Sequence, residues 1–376
     1  METADPLAPT TAEFRAHFAN SMRDKDADIA IESIAEDEAE RMIAAGTLTP
    51  AQASQWFAVA TSDTPTVREL SEQWITSHGY SPNTQVQHRR AVSDLLEFLG
   101  GDRLPSQVTD ADAVGYFNSV RDDLRAALNT KRRKVTALHT FWEYLIQQRV
   151  VPRGLNLWRG FKFPRSQERN TRPEKRGYTD AELLLLFRNR PLDDDGLADV
   201  MVLLLYSGAR LEELCSLTAG QVRLVRKVYF VSITRAKTRA GVRTIAFTHP
   251  CAKAIIRARL NAAASDGSLL FPEFTAGGTG KSRYGYAVSK RFGTLRDGLG
   301  LPEQVDFHSL RRTAITVLEN RKVHAGHVAG FVGHSGGTLA RDTYSDGLWN
   351  PSIAAVSRTL VYPAKVETAV LAFCRR

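Results

Sequence analysis

The sequence predicts a mainly helical α+β protein in which one small antiparallel sheet interrupts a long series of helices. Apolar residues recur at helical spacing through most of the 376 residues, and residues 197–205 are almost wholly apolar, as in a core helix. Between 227 and 247 the pattern changes to that of short strands, with apolar positions at Val228, Phe230, Val231, Ile233, Val242, Ile245 and Phe247. The length is enough for two or three domains.

Residues 1–64 are predicted to form an acidic helical extension. Residues 11–60 fit short amphipathic helices, and the last of these starts at Thr49-Pro50. The acidic face either faces solvent or contacts other subunits. The opposite, buried stripe is expected to consist of Ile29, Ile31, Ile34, Met42 and Ile43.

Residues 65–151 are predicted to form a compact domain of four helices, with breaks at Ser81-Pro82, at Gly100-Gly101 and near Asn129. The first turns of the fourth helix carry four adjacent cations on a side predicted to be exposed. Such a run is usually only solvated. Since the domain has little other visible purpose, we favour contacts with nucleic-acid phosphates. These cations are Lys131, Arg132, Arg133 and Lys134.

Residues 152–177 are predicted to be a basic linker, which either wraps around a duplex or is simply solvated. The segment contains eight Lys/Arg and two Asp/Glu, and prolines and glycines interrupt it. Residues 178–376 form a second, larger domain. It opens with a helix-capping pattern, Thr179-Asp-Ala-Glu182.

The charge is unevenly distributed along the chain. Residues 1–64 contain 4 Lys/Arg and 12 Asp/Glu, a charge of −8, whereas the remainder has 46 and 29, a charge of +17. A basic body of this kind suggests a polyanionic partner, with nucleic acid the first candidate. A mildly basic cytosolic protein without such a partner is the alternative.

Several classes of protein do not fit the sequence. No run of about 18 apolar residues predicts a transmembrane helix, and no signal peptide is visible at the N-terminus, so no membrane partner is expected. The three cysteines are far apart and odd in number, which fits a reducing cytoplasm and indicates neither a disulfide framework nor a zinc site.

Six residues of the second half have the chemistry needed to attack a phosphodiester without a metal ion. Guanidinium groups fork onto phosphate oxygens and neutralise the charge that develops there. Imidazoles pass protons near neutral pH, a lysine can protonate a leaving alkoxide, and a tyrosine can become a covalent phosphotyrosine. The six residues are Arg210, Lys237, His308, Arg311, His334 and Tyr344.

Taken singly, each of these residues has a structural explanation, such as a surface salt bridge, a core histidine or a packed tyrosine. Arg210 and Glu213 are three apart on a helix, so Glu213 can orient the guanidinium. His308 and Arg311 have the same spacing and place an acid-base group beside a cation. Their joint occurrence in one order is what favours the catalytic interpretation.

That order resembles the tyrosine recombinase, or phage integrase, family over about residues 66–362. The similar segments are Gly208-Ala-Arg210-Leu-Glu-Glu213, Ala-Lys237-Thr-Arg-Ala-Gly and His308-Ser-Leu-Arg311, followed by Val332-Gly333-His334 and Tyr344. The chain departs from the family in having Val332 for leucine. Its spacing from histidine to tyrosine is also about one residue longer, an insertion that Gly336-Gly337 can absorb.

The resemblance implies strand exchange between DNA sites without ATP, metal or another cofactor. It implies that Tyr344 is the nucleophile that forms a 3′-phosphotyrosine, that Lys237 protonates the leaving 5′-hydroxyl, and that His308 assists proton transfer. Arg210, Arg311 and His334 would stabilise the transition state. A topoisomerase with the same nicking-closing chemistry and a catalytically silent DNA-binding protein are the alternatives.

The resemblance also implies the domain roles and the partners. Residues 65–151 would be a SAM-like core-binding domain, and residues 178–376 a catalytic domain with a C-terminal tail. The partners would be double-stranded DNA, further copies of the chain in a tetramer, and accessory DNA-bending proteins, in the service of a phage or other mobile element. The tail contains two apolar stripes, which pack either on their own domain or on a neighbouring subunit.

Overall fold

The structure is a computed structural model that describes residues 25–62, 64–163, 174–234, 241–277, 283–334 and 349–375, with side chains from Glu32 onward. Contacts divide the chain into two compact units, residues 1–171 and 172–376, called here the N-terminal and C-terminal units. The finer division at 64, 151 and 177 stays a prediction. Within the described ranges, no helix is both long and apolar enough to span a bilayer.

The N-terminal unit begins with a helical pair, α1 (Lys25–Ala44) and α2 (Pro50–Ala60). Thr49 caps α2 in a capping box with Gln52, as the Thr49-Pro50 start predicts. The predicted buried stripe is wrong at two positions, since Ile34 and Ile43 are exposed. Small side chains face the partner helix instead, which allows close packing around Trp56. The small core contains Ala35, Ala39, Leu48, Ala53, Trp56 and Ala60.

Four further helices form the main core of this unit, as predicted: α3 (Val67–Ser77), α4 (Pro82–Phe98), α5 (Asp110–Asp122) and α6 (Leu128–Gln147). The first part of the predicted linker packs on them rather than extending away. Trp158 is buried against Trp142, with ring centroids 5.8 Å apart. Large apolar side chains therefore keep residues 157–163 on the core, despite the prolines and glycines that suggested a connector.

The C-terminal unit is a helical body around one small sheet. Nine helices are described in it: α7 (Asp180–Arg188), α8 (Asp195–Leu205), α9 (Leu211–Cys215), α10 (Pro250–Ala262), α11 (Gly285–Gly298), α12 (Phe307–Asn320), α13 (Ala325–Val332), α14 (Asn350–Thr359) and α15 (Ala364–Cys374). Every residue from Leu197 to Leu205 is buried, which confirms the predicted core helix. The capping box at Thr179 is also confirmed.

The sheet has three antiparallel strands in the order β1 (Val222–Val225), β2 (Val228–Ile233) and β3 (Arg243–Phe247), as the change of apolar spacing predicts. Arg226 and Lys227 form the turn between β1 and β2, with φ of 48° and 66°. Two left-handed residues are what a two-residue turn of type I′ requires.

The C-terminal tail packs on its own unit. The buried sides of α14 and α15 join the main core through residues that include Ile353, Val366 and Phe373. One carboxylate fastens α15, since Glu367 accepts hydrogen bonds from the Tyr206 hydroxyl at 2.9 Å and the Tyr362 amide at 2.8 Å. The sequence leaves two alternatives open for the tail, and in this structure the tail packs on its own domain.

We expect the attachment of α15 through Glu367 to weaken at alkaline pH because of His249. Burial by itself lowers the pKa of His249, but hydrogen bonds with Cys251 and Glu367 outweigh burial and raise the pKa to about 9. A raised pKa stabilises the folded state fully below the unfolded value of about 6.5, and this contribution is lost as pH rises through 9.

We therefore predict that the free energy of unfolding falls by roughly 1–2 kcal/mol between these pH values, after allowance for solvent screening. Denaturant unfolding of the full chain at a series of pH values measures this. The His249→Gln variant should lack that part of the slope. An identical slope in the variant and the wild type would contradict the assignment.

Candidate active site

The site begins where α8 ends. Gly208 adopts a left-handed backbone with φ of 59°, so the chain turns sharply and Arg210 becomes the N-cap of α9. The Gly208 carbonyl accepts a hydrogen bond from Nη1 of Arg311 on α12. The turn therefore brings the two predicted phosphate-binding arginines into one place.

Glu213 is a buried carboxylate that holds two arginines. Arg210 donates to it from its backbone amide at 2.8 Å and from Nη1 at 2.8 Å, which confirms the predicted orientation of Arg210 by Glu213. Arg243 donates from Nη2 at 2.9 Å and from Nη1 at 3.1 Å. Burial by itself raises the pKa of Glu213, but the bonds and charges of these arginines outweigh it and lower the pKa, so Glu213 stays ionised.

Arg243 is a member of the site that the sequence did not reveal. Its side chain is only 6% exposed, and it also donates from Nε to the Phe331 carbonyl at 2.8 Å and from Nη1 to the Gly241 carbonyl at 2.8 Å. It therefore joins β3, α9 and the end of α13. A single arginine at the start of a strand was the only available signal, and its partners are distant in sequence.

Gly333 is required at the end of α13 for two independent reasons. Its φ of 73° is left-handed, and a Cβ there would lie 2.6 Å from Nη1 of Arg243. Its carbonyl accepts a hydrogen bond from Nη2 of Arg210 at 2.8 Å. The turn that leads to His334 is thus held by the two arginines that share Glu213.

Arg311 is the buried cation of the site. Its side chain is 1% exposed, and Nη2 has no hydrogen-bond partner among the described residues. Burial, then the charges of Arg210 and Arg243, lower the pKa of Arg311 to about 9, so it remains charged at neutral pH. A buried, charged and unpaired donor is costly unless an acceptor reaches it, and an anion satisfies that need.

The two histidines are the exposed members of the cluster. Burial of part of the ring and then the charge of Arg311 lower the pKa of His308. Burial and then the charges of Arg311, Arg210 and Arg243 lower the pKa of His334. Both imidazoles are therefore neutral at pH 7, and each can donate a hydrogen bond or accept a proton.

The structure brings together four of the six predicted site residues: Arg210, His308, Arg311 and His334. Lys237 and Tyr344 lie outside the described residues. Lys237 falls in the sequence between β2 and β3, and Tyr344 falls between His334 and α14. In the described part of the chain, no group of three or more His, Cys, Asp or Glu residues could hold a metal ion.

The N-terminal unit contains the four cations predicted to contact phosphates, and the structure separates them. Arg132 and Arg133 line a cleft of about 880 Å³ between α4 and α6, together with Arg90 and Arg125. Lys134 lines it too but pairs with Asp94 at 2.6 Å.

The prediction that Lys131 is exposed is wrong. Lys131 is buried, and its Nζ donates to the Arg121 carbonyl at 2.7 Å. It precedes Val135 by one helical turn and therefore lies on the buried side of α6.

Comparisons with known proteins agree with this architecture. The model of the "Phage integrase family" matches residues 183–346, and that of the "Phage integrase, N-terminal SAM-like domain" matches residues 68–151. The two matches together span about two thirds of the chain, and the first includes all six predicted site residues. The chain therefore belongs to the phage integrase family, the tyrosine site-specific recombinases. No curated protein sequence matches it.

Solved structures share the fold at low sequence identity. The integrase of transposon Tn1549, in complex with circular intermediate DNA, is 21% identical with a TM-score of 0.57, over 78% of this chain and 99% of that chain. A lambda integrase tetramer bound to a Holliday junction is 18% identical with a TM-score of 0.54, over 75% and 80%. A lambda integrase dimer bound to a core site is 16% identical with a TM-score of 0.53, over 79% and 96%.

Replacement of Gly333 by alanine is predicted to damage the site and to cost roughly 1–3 kcal/mol of stability, from backbone strain and the clash with Arg243. Gly293→Ala is the matched control, because nothing lies within 4 Å of a Cβ at that position. Thermal unfolding of both variants measures the difference. Because the two residues touch, the costs of Gly333→Ala and Arg243→Ala should not add in the double variant. Simple additivity would show that the contact does not exist.

Proposed function

We propose that this chain cleaves and rejoins double-stranded DNA through a 3′-phosphotyrosine at Tyr344, in the integration or excision of a mobile element. The observation that carries the proposal is the arginine cluster, in which Glu213 fixes Arg210 and Arg243 while a buried donor of Arg311 has no partner in the described part of the chain. A scissile phosphate supplies the acceptor that this donor lacks. Arg210, with 37% of its side chain exposed, offers the second guanidinium.

The chemistry balances without any other reactant. The Tyr344 hydroxyl oxygen attacks phosphorus and forms a new P–O bond, while the bond from phosphorus to the 5′-oxygen breaks. Neutral His308 accepts the tyrosine proton, and Lys237 gives a proton to the departing 5′-oxygen. Arg210, Arg311 and His334 stabilise the charge on the phosphoryl oxygens, where one such donor is typically worth ~10²–10³ in rate. The 5′-hydroxyl of a partner strand then reverses the step.

Side-chain cations take the place of a metal ion in this scheme. Arg210, Arg243 and Arg311 against Glu213 leave the described part of the site with a net positive charge. We therefore expect chelation by EDTA to leave strand cleavage unchanged.

DNA strand exchange needs more than one copy of the chain, and a tetramer is the proposed assembly. The lambda integrase relative is a tetramer on a Holliday junction, and the Tn1549 integrase is bound to DNA. The basic cleft of the N-terminal unit is the proposed second contact with the duplex, through Arg90, Arg125, Arg132 and Arg133.

Tyr344→Phe is predicted to abolish the covalent adduct with DNA while DNA binding persists. The assay detects protein joined to DNA fragments under denaturing conditions, with and without EDTA. Tyr362→Phe is the control, because the Tyr362 hydroxyl is buried and donates to the Leu205 carbonyl at 2.7 Å. Loss of the adduct in Tyr362→Phe with retention in Tyr344→Phe would disprove the nucleophile. Adduct formation without strand exchange would favour a topoisomerase.

The salt dependence of DNA binding tests the cleft of the N-terminal unit. Each phosphate contact contributes ~0.9 to the slope of log affinity against log salt. The double variant Arg132→Gln, Arg133→Gln should therefore reduce the slope by about 2 units. Lys131→Met should leave the slope unaltered, since Lys131 is buried. A wild-type slope in the double variant would mean that other residues contact the DNA phosphates.

A further inference from the structure

A second basic cleft lies in the C-terminal unit, at the end of the sheet where β1 turns into β2. It has a volume of about 390 Å³, and no acidic residue among those described lines it. Its cations come from three elements: Arg226 and Lys227 from the turn, Lys253 from α10 and Arg358 from α14. In the described part of the chain, none of the four forms an ion pair. The cleft therefore attracts negative charge.

The turn itself indicates that these charges are placed there at a conformational cost. Arg226 and Lys227 both adopt left-handed φ angles, for which glycine, asparagine and aspartate are the favoured residues. A long cationic side chain gains nothing for the hairpin at either position. Backbone strain of this kind is typical of positions with a function besides folding.

The cleft also has an apolar border. Leu224 is 61% exposed, Val225 41% and Val361 43%, and Val361 lines the cleft. Phosphate groups pair with cations and not with aliphatic side chains. A partner that fits both features combines carboxylates with exposed aliphatic side chains, as an acidic amphipathic helix does.

Helix α1 has this composition. Glu32, Glu36 and Glu40 are exposed at a spacing of four residues, so they form a stripe of about 12 Å along one side of the helix. Ile34 and Ile43, which the sequence predicted to be buried, are exposed as well. Ile43 follows Glu40 by three residues and shares the side of the acids, whereas Ile34 lies on the other side of the helix. The acids and Ile43 thus match the cations and aliphatic side chains of the cleft.

We propose that α1 of one copy of the chain docks in the basic cleft of a second copy. The inference rests on the oligomer proposed above, because a helix and a cleft on different surfaces give a head-to-tail contact that can close into a ring. The acidic extension then serves assembly, while the basic cleft of the N-terminal unit stays available for DNA. Contacts of this kind weaken with salt.

Charge reversal tests the proposal on the full chain without DNA. One variant reverses the helix (Glu32→Lys, Glu36→Lys, Glu40→Lys). The other reverses the cleft (Arg226→Asp, Lys227→Gly, Lys253→Glu, Arg358→Glu), and its Asp-Gly turn suits left-handed backbone. Sedimentation velocity at low salt should show self-association of the wild type and a loss of about tenfold or more in each variant alone. An equimolar mixture of the two should associate again, because both contacts between unlike copies are then attractive.

Several results would overturn the proposal. A wild type that stays monomeric, or a mixture that stays dissociated, would end it. If wild-type sedimentation returned only when both reversals were in one chain, α1 would dock in the cleft of its own copy. Loss of DNA affinity in the cleft variant with unchanged self-association would assign the cleft to DNA. The matched control, Glu97→Lys, Glu303→Lys, Glu319→Lys, reverses three exposed acids outside α1 and should associate like the wild type.

The two proposals fail separately. Self-association is measured without DNA chemistry. A chain that forms no phosphotyrosine can therefore still lose self-association in each charge-reversal variant and regain it in their mixture. Conversely, a chain with normal adduct formation and no response to either reversal would retain the proposed activity and lose only the proposed contact. Thermal unfolding of both variants verifies that the fold is intact, since nearly all substituted side chains are exposed.

Discussion

The candidate site depends on the two ion pairs of Glu213. A buried carboxylate is unfavourable unless hydrogen bonds and opposite charge compensate it, and breaking such a pair typically costs ~3–5 kcal/mol. Here Arg210 and Arg243 both compensate Glu213, and each arginine then reaches beyond it to a carbonyl at the end of α13, Gly333 or Phe331. One carboxylate thereby fixes α9, β3 and the turn before His334 relative to one another.

This arrangement decides which cation is left for a ligand. Because Glu213 and two backbone carbonyls take the donors of Arg243, that residue acts as a positioning group. Among the residues that the structure describes, Arg311 donates only to the Gly208 carbonyl and its Nη2 is unpaired, and Arg210 is partly exposed. The same positive field lowers the pKa of His308 and His334, after burial, and keeps both imidazoles neutral. Anion binding and proton transfer therefore follow from one electrostatic source.

Much of this was predictable because it is local in sequence. The contact of Arg210 with Glu213, the capping boxes and the change from helical to strand spacing all depend on residues within a few positions. Arg243 was not predictable, because its partners lie 30 and 88 residues away. Lys131 was assigned to the wrong side of α6, since a run of four cations hides the helical period. Likewise Ile34 and Ile43 seemed part of the core of α1, whereas alanines of this helix pack on α2.

The central claim is that the arginine cluster neutralises a scissile phosphate. The most direct measurement is the cleavage rate on DNA whose scissile phosphate, once mapped, is replaced by an uncharged methylphosphonate. The account predicts that Arg311→Ala loses ~10²–10³ in rate on the phosphate and much less on the neutral linkage, because the charge that Arg311 offsets is absent. An equal loss on both substrates would mean that Arg311 only supports the fold, and would contradict the account.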